Sequence, residues 1–429
     1  MMRQRTALVI GGGIGGLTAA VALDRRGWAV TVLERTTTGE PGTASGRPVR
    51  SGAGIALAPN AQRALDTLGA GDAVRAMGAW QTTGEIRLPG GHRLARTDQA
   101  AAVRRFGGPV VVAHRAEVTA LLAARLPDGA LRTGVTAALV DAGDPGAEDR
   151  PARVRITGTG DGTADAGEEL TADLVVAADG IHSAVRRALF PGHPAPRYAG
   201  VTAWRLVVPA PDGLHEAHET WGPGSLWGTV PLSGGRIYAY ATAAVPPGGR
   251  AADDERAELL RRFGNWHHPV PALLAAADPA TVLRNDVYTA AAPPPAFHRG
   301  RVALLGDAVH PMTPNLGQGG CQAIEDAVVL AHLAAPEADQ AAALAAYTRQ
   351  RLPHTMDVVR RAERIGRLCT WRSGPACALR AVLMAAAARL APDLVLRSLD
   401  GIADWRPPAG TYASGTRGTS AVAQPKEHE

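Results

Sequence analysis

The chain has 429 residues, a formal net charge of +5 at pH 7, 46% hydrophobic and 20% charged residues, which calls for two or three lobes and not one small core. The small charge and the lack of a basic block with interleaved aromatics argue against a nucleic-acid partner. Cys321, Cys369 and Cys377 are odd in number and form no C-x-x-C pair, which excludes a disulfide framework and suits a reducing cytoplasm; no run reaches the ~20 apolar residues of a membrane span, and the first apolar run, broken by glycines, is no signal peptide.

The first predicted element is a buried strand, Ala7 to Ile10, apolar throughout as parallel strands are. It runs into Gly11-Gly12-Gly13-Ile14-Gly15-Gly16 and then an Ala/Leu-rich helix. In that order Gly11 makes a tight turn, Gly13 lets the backbone approach a pyrophosphate, and Gly16 lets helix pack on strand, with free N–H groups at the helix start facing the phosphates. A second strand, Ala29 to Leu33, ends in Glu34, about 20 residues on, where an acid binds ribose hydroxyls. Together these features predict a Rossmann-like dinucleotide site. Arg35 either touches the adenosine side or is a solvated surface arginine. Arg47 and Arg50, in the Gly/Thr/Pro-rich loop ending at Gly54, either reach phosphates or face solvent.

A helix follows Pro59-Asn60 and stops at Gly69. Gly84 to Arg96 alternates and turns at Pro89-Gly90-Gly91 as a hairpin. Val110 to Ala113 is a short strand, and His114-Arg115 opens a helix. Val135 to Val140 and Val154 to Ile156 are strands, with mobile Gly/Asp/Ala loops after each, the second spanning Gly158 to Glu169. Asp173 to Ala178 is a buried strand that turns at Asp179-Gly180 into a helix. Residues 197 to 245 carry Trp204, Trp221, Trp227, Tyr238 and Tyr240 in alternating segments split by Pro-Gly turns, the pattern of an antiparallel sheet. Ala252 to Phe263 is helical. Arg301 to Asp307 is a third buried strand ending at an acid, and the run from His310 through Pro314, Gly317, Gln318, Gly319 and Gly320 opens another helix. Helices continue to about Leu399; Ala381 to Leu396, the most apolar but interrupted by Arg389, Pro392 and Asp393, is read as a packed helix, with weak membrane contact the minor alternative. Residues 406–429 form a flexible tail.

These motifs, in this order, resemble the single-component FAD-dependent aromatic hydroxylases of the para-hydroxybenzoate hydroxylase fold, and more closely the salicylate hydroxylase, urate hydroxylase and zeaxanthin epoxidase branch. Gly11 to Gly16 matches the FAD pyrophosphate motif. Asp179-Gly180 matches the "DG" motif, and Gly306-Asp307 with Pro314, Gly317, Gly319 and Gly320 matches the "GD" motif. Arg115 matches the helix-start arginine that reaches FAD. Gly200-Val201-Thr202-Ala203-Trp204-Arg205 looks like the branch's G-x-T-A-W-R segment. Cys321 stands where some relatives carry Asn, and no thioredoxin-like third domain follows.

The resemblance implies an α/β fold: a Rossmann-like FAD-binding domain (1–75, 100–190 and 284–345) with an inserted, mostly antiparallel β-sheet substrate domain (76–99 and 191–283) and C-terminal helices (346–405). It implies FAD as cofactor, with NADPH or NADH visiting as co-substrate, and oxygen transfer to an electron-rich small molecule through a flavin C4a-hydroperoxide. FAD contacts fall to Gly11, Gly13, Ile14, Gly15, Gly16, Glu34, Arg35, Gly54, Arg115, Val135, Asp179, Gly180, Gly306, Asp307, Pro314, Gly317, Gly319 and Gly320. The helix from Gly320 aims N–H groups at the flavin N1–C2=O edge, where negative charge gathers on reduction. Asp307 accepts from a ribityl hydroxyl or caps its helix. Arg205 is the expected substrate-side residue, unless it is paired within the sheet. Trp204, Trp221, Trp227, Tyr238 and Pro314 are the expected pocket. His182 and His310 are read as structural. The partners are a small molecule and O2, without nucleic acid or membrane span, in a cytoplasmic monomer or homodimer. A flavin halogenase is disfavoured, since the sole lysine, Lys426, lies in the tail and no W-x-W-x-I-P segment is present. Two rival functions stay compatible with the same motifs: a same-fold reductase without O2 insertion, and a non-enzymatic FAD-binding protein.

Overall fold

The computed structural model describes residues 3–37, 53–80, 83–159, 167–211, 213, 216–390 and 394–409. Arg47, Arg50, most of the loop after Gly158, and the tail beyond residue 409 lie outside them.

The apolar runs form the centre of a six-stranded sheet, ordered His298–Arg299, Val302–Leu304, Leu174–Ala177, Thr6–Ile10, Ala29–Glu34 and Leu131–Thr133. All neighbours are parallel except the first pair. Helix Ile14–Arg25 packs on the strands, and Val135, Ala152, Val154, Ile156 and Ala172 of a three-stranded antiparallel sheet (Val135–Asp141, Ala152–Thr159 and Glu169–Ala172) share their core, so the runs are continuous and not alternating. The register aligns the strand ends: Ile10 lies opposite Leu33 and Ala177, and Ala177 opposite Leu304. The loops that follow therefore leave the sheet side by side at its carboxyl edge. Helix Ile14–Arg25 packs against helix Gly319–Leu333, where a Cβ on Gly15 would stand 2.8 Å from Leu305 Cδ1 and 3.0 Å from Ala323 Cβ.

The aromatic segments form a seven-stranded sheet, ordered Leu283–Thr289, Arg197–Pro209, Arg236–Ala243, Ser225–Leu232, Ala217–Gly222, Thr83–Arg87 and Arg93–Asp98. Its pairs are antiparallel except Ala217–Gly222 with Thr83–Arg87. Strand alternation sorts the side chains. Trp204, Leu206, Val208, Trp227, Ile237 and Ala239 point to one face and pack with Leu259, Phe263 and Leu273 of helices Glu255–Phe263 and Val270–Ala275. The other face carries Arg205, Tyr238, Tyr240 and Trp221 toward the parallel-sheet lobe. The expected boundary at residue 284 cuts a strand: Leu283–Thr289 pairs with Arg197–Arg205, so ladder hydrogen bonds place it with the large sheet. The long helix Gln340–Cys369 and the helix Gly374–Leu390 close the chain's C-terminal side. Among the described residues no helix is long and apolar enough to cross a membrane.

Candidate active site

Four loops meet at the carboxyl edge of the parallel sheet, where open α/β sheets bind ligands. Gly11 turns at φ 109°, and a Cβ there would stand 2.3 Å from Ala178 O, so only glycine fits between this loop and the Asp179 loop. Gly16 sits as tightly, its Cβ position 1.9 Å from Gly11 O, whereas a Cβ on Gly13 would meet nothing within 4 Å. The turn is thus packed behind and open in front, as a pyrophosphate requires. Ile14 opens the helix and is buried in the core.

Glu34 does not stand free. Its Oε2 accepts from Gly12 N at 2.6 Å and its Oε1 from Thr36 N at 2.8 Å. A carboxylate has about four lone-pair sites, so the acid fixes the glycine turn and keeps acceptor capacity. Arg35 beside it is exposed. Val135 is buried in the core, and Gly134 N donates to Thr36 O, bringing this strand start to the same edge.

Asp179 Oδ2 accepts from Val185 N at 3.2 Å, while its buried Oδ1 has no partner. Gly180 takes φ 78°. Sequence reasoning does not single out Arg186. It is buried and donates to Ile181 O at 2.8 Å and Ala308 O at 2.6 Å, clamping the Asp179 loop to the Asp307 loop.

Gly306 takes φ 60°, and Asp307 is exposed. Gly317 takes φ 64°, and helix Gly319–Leu333 then starts without a side-chain cap, because Gln318 turns inward to accept from Asn60. Its first-turn N–H groups are therefore available to a ligand. A Cβ on Gly319 would meet only Met312 Cγ at 3.7 Å and Asp307 Oδ1 at 3.9 Å, so acid and helix start adjoin. Cys321 is buried below them, and burial pushes its thiol up to about 12.

A buried ion network supports this helix start. Arg351 donates to Asp326 Oδ1 and Glu325 Oε2, each at 2.7 Å, and His310 Nε2 lies 2.5 Å from Asp326 Oδ2. Burial alone would raise the Asp326 carboxyl; His310 and Arg351 overcome that and bring it down to about 2. Asp326 Oδ2 also accepts from Gly306 N at 3.1 Å, so the network holds the Asp307 loop from beneath. His310 is thus structural, as the sequence suggests.

Facing this cradle is one register row of the large sheet. Arg205 lies opposite Tyr240, Tyr240 opposite Gly228, and Gly228 opposite Glu219. A Cβ on Gly228 would stand 2.1 Å from Tyr240 Cζ. Its absence lets the tyrosine lie across the strand and donate to Glu219 Oε1 at 2.5 Å. Glu219 Oε2 accepts from Trp221 Nε1 at 2.9 Å. Burial, then Glu219, holds the Tyr240 hydroxyl well above its ordinary value. Burial raises Tyr238 as well, opposed by the positive charges of Arg205 and then Arg115. The Tyr238 ring fills the space over Gly54, where a Cβ would be 2.6 Å away. Arg205 Nη1 also donates to Asn285 Oδ1 at 3.3 Å. A small cleft, with a volume of about 70 Å³, lies between Pro314 and Asn315, Val201 and Thr242 of the sheet, and Gly366 and Cys369 of the long helix.

The structure thus brings Arg205, Tyr238, Trp221 and Pro314 to the lobe-facing side, but not Trp204 or Trp227. These two are fully buried on the opposite face, where Trp204 Nε1 donates to Glu255 and Trp227 Nε1 to Thr229. Glu219 escaped sequence reasoning. Its signal was spacing: two residues before Trp221 it shares that side chain's face, and a glycine interrupts the neighbouring strand.

A family model described as "FAD binding domain" matches residues 4–362. The chain is 40% identical over 381 residues to aurachin C monooxygenase/isomerase of Stigmatella aurantiaca, covering 88% of this chain and 93% of that protein. It is 36% identical over 382 residues to 3-amino-4-hydroxybenzoate 2-monooxygenase of Streptomyces cremeus, covering 86% and 89%. The structure of Klebsiella pneumoniae HpxO complexed with FAD and uric acid superposes with a TM-score of 0.79 at 30% identity, covering 92% of this chain and 97% of that one. The chain belongs to the single-component FAD-dependent hydroxylases and monooxygenases, enzymes that use FAD with NAD(P)H.

Proposed function

We propose that the chain inserts one oxygen atom from O2 into an electron-rich aromatic or polycyclic small molecule held between Pro314 and the Arg205–Tyr240–Glu219 row. The observation that carries this reading is the convergence of four motif loops at one sheet edge, opposite a buried polar row. Bound FAD supplies the electron transfer from NAD(P)H and the activation of O2; the protein binds, orients and shields.

In this reading Gly11, Gly13, Ile14, Gly15 and Gly16 hold the pyrophosphate. Glu34, with Arg35 and Val135, holds the ribose and adenine side. Asp179 and Gly180 close the cradle, and Arg115 and Gly54 border it on the sheet side. Gly306 and Asp307 hold the ribityl chain, while Pro314, Gly317, Gly319 and Gly320 lie at the ring. The FAD-binding lobe then comprises about 1–75, 100–190 and 290–345, and the substrate lobe 76–99 and 191–289. The enzyme acts in the cytoplasm as a monomer or homodimer.

On the substrate side, the Arg205 guanidinium orients an acidic phenol or carboxylate, and its positive charge favours the substrate's deprotonated, more nucleophilic form. Tyr240, kept protonated, donates only to Glu219, so the pair fixes that wall and excludes water. Trp204 and Trp227 serve the fold. The test is a panel of phenols, quinones, indoles and purines scored by stimulated NAD(P)H consumption and product mass. At least one aromatic class should give a product heavier by one oxygen. Stimulation by none, in protein carrying FAD, would overturn the substrate class.

A further inference from the structure

Helix Gly374–Leu390 has one occupied side. There Arg380 is buried under the Trp221 ring and donates to Leu368 O and Gly222 O. The other side is bare: Leu379 is 55% exposed, Val382 64%, Leu383 58% and Leu390 87%. At helical spacing these four fall on one stripe about 100° wide. Apolar residues scattered singly over a surface are ordinary, but large aliphatics gathered on one stripe mark an interaction surface.

Charge identifies what this surface fits. Residues 364–390 contain Arg364, Arg367, Arg372, Arg380 and Arg389 but no Asp, Glu or Lys. All but Arg380 are exposed. The combination of aliphatic stripe and unbroken positive charge matches the headgroup boundary of an anionic bilayer. A second copy of the chain is a poorer occupant, because a two-fold contact would set these arginines against themselves. The chain's own residues 410–429 offer only Tyr412 and Val422 as large apolar side chains, too little to cover the stripe. Arg367, Cys369 and Thr370, which line the cleft, lead directly into this helix. We propose that helix Gly374–Leu390 docks the enzyme peripherally on an anionic lipid surface, with Leu379, Val382, Leu383 and Leu390 at the acyl boundary and the exposed Arg389 beside them on lipid phosphates.

The test is co-sedimentation of full-length FAD-loaded enzyme with vesicles of phosphatidylcholine, with and without phosphatidylglycerol. Binding should require phosphatidylglycerol and weaken with added salt. Arg389→Gln should lower the partition coefficient roughly fivefold, and Leu383→Ser by roughly tenfold or more, with FAD content and melting temperature as controls for folding. The proposal is overturned if wild type ignores phosphatidylglycerol vesicles, if neither variant changes binding, or if the stripe instead drives a concentration-dependent dimer that Leu383→Ser dissolves without any vesicle binding.

Discussion

Gly319 offers a direct electrical test of where the flavin ring sits. It opens helix Gly319–Leu333, whose first turn has no side-chain cap. Inside the protein a Cβ there makes only ordinary contacts, at 3.7 Å and 3.9 Å, so Gly319→Ala and Gly319→Asp can both be built. At Gly320 the same atom would press on Ile55 Cδ1 at 2.8 Å, so the end of that side chain would have to move. A helix N-terminus stabilises a nearby anion by about 0.3–1 kcal/mol, and up to ~2 when partly buried. A carboxylate added among these N–H groups cancels that term and, beside Asp307, adds repulsion toward the reduced flavin anion. With ~30 mV for each ~1.4 kcal/mol in a two-electron couple, Gly319→Asp should lower the flavin potential by roughly 10–40 mV, and Gly319→Ala by much less. The assay is dye-equilibrated potentiometry on preparations carrying full FAD, with NAD(P)H-driven reduction followed in parallel. A fully loaded Gly319→Asp enzyme with the wild-type potential would refute the placement of the ring at this helix.

Arg205→Ala should retain FAD yet lose substrate affinity or coupling, read as hydrogen peroxide released per NAD(P)H oxidised; loss of flavin instead would move Arg205 to the cofactor side. Gly228→Ala should displace Tyr240 from Glu219, since its Cβ falls 2.1 Å from the ring, costing about 1–3 kcal/mol in denaturant unfolding and lowering substrate-stimulated NAD(P)H consumption; unchanged stability and turnover would show that the row is not packed as described. His218 is held down to about 4 by burial and then Arg87 and His267, so the unfolded chain binds its proton first. Stability should therefore fall as pH drops from the unfolded value through 4, by about 3 kcal/mol. The depressed Asp326 adds a further loss, on the order of 2 kcal/mol, between about pH 4 and about pH 2. Urea midpoints near neutrality and near pH 4.5 for wild type and His218→Gln check the first window, which should flatten in the variant.

The parallel sheet was legible because its information is local. Ala7 to Ile10, Leu174 to Ala177 and Val302 to Leu304 are continuous apolar runs ending at glycines or acids, and those loop residues need no distant partner to be recognised. The large sheet was legible in kind but not in facing. Alternation divides Trp204 from Arg205, yet only helices Glu255–Phe263 and Val270–Ala275, distant in sequence, decide which side is buried core. The pairing of strand Leu283–Thr289 with Arg197–Arg205 is hidden in the sequence for a similar reason, since its partner lies some eighty residues earlier. Glu219 reaches Tyr240 only through register across three strands. Asp326 and Arg351 stand in sequence as ordinary helix charges, and only the fold places them with His310 in the dry interior.

The most direct test of the account is the fate of isotopically labelled O2 in a reaction with whichever panel compound stimulates NAD(P)H consumption. One labelled oxygen should enter each product molecule, with reducing equivalents consumed in matching amount. Product formed without O2, or label arriving only from water, would contradict it.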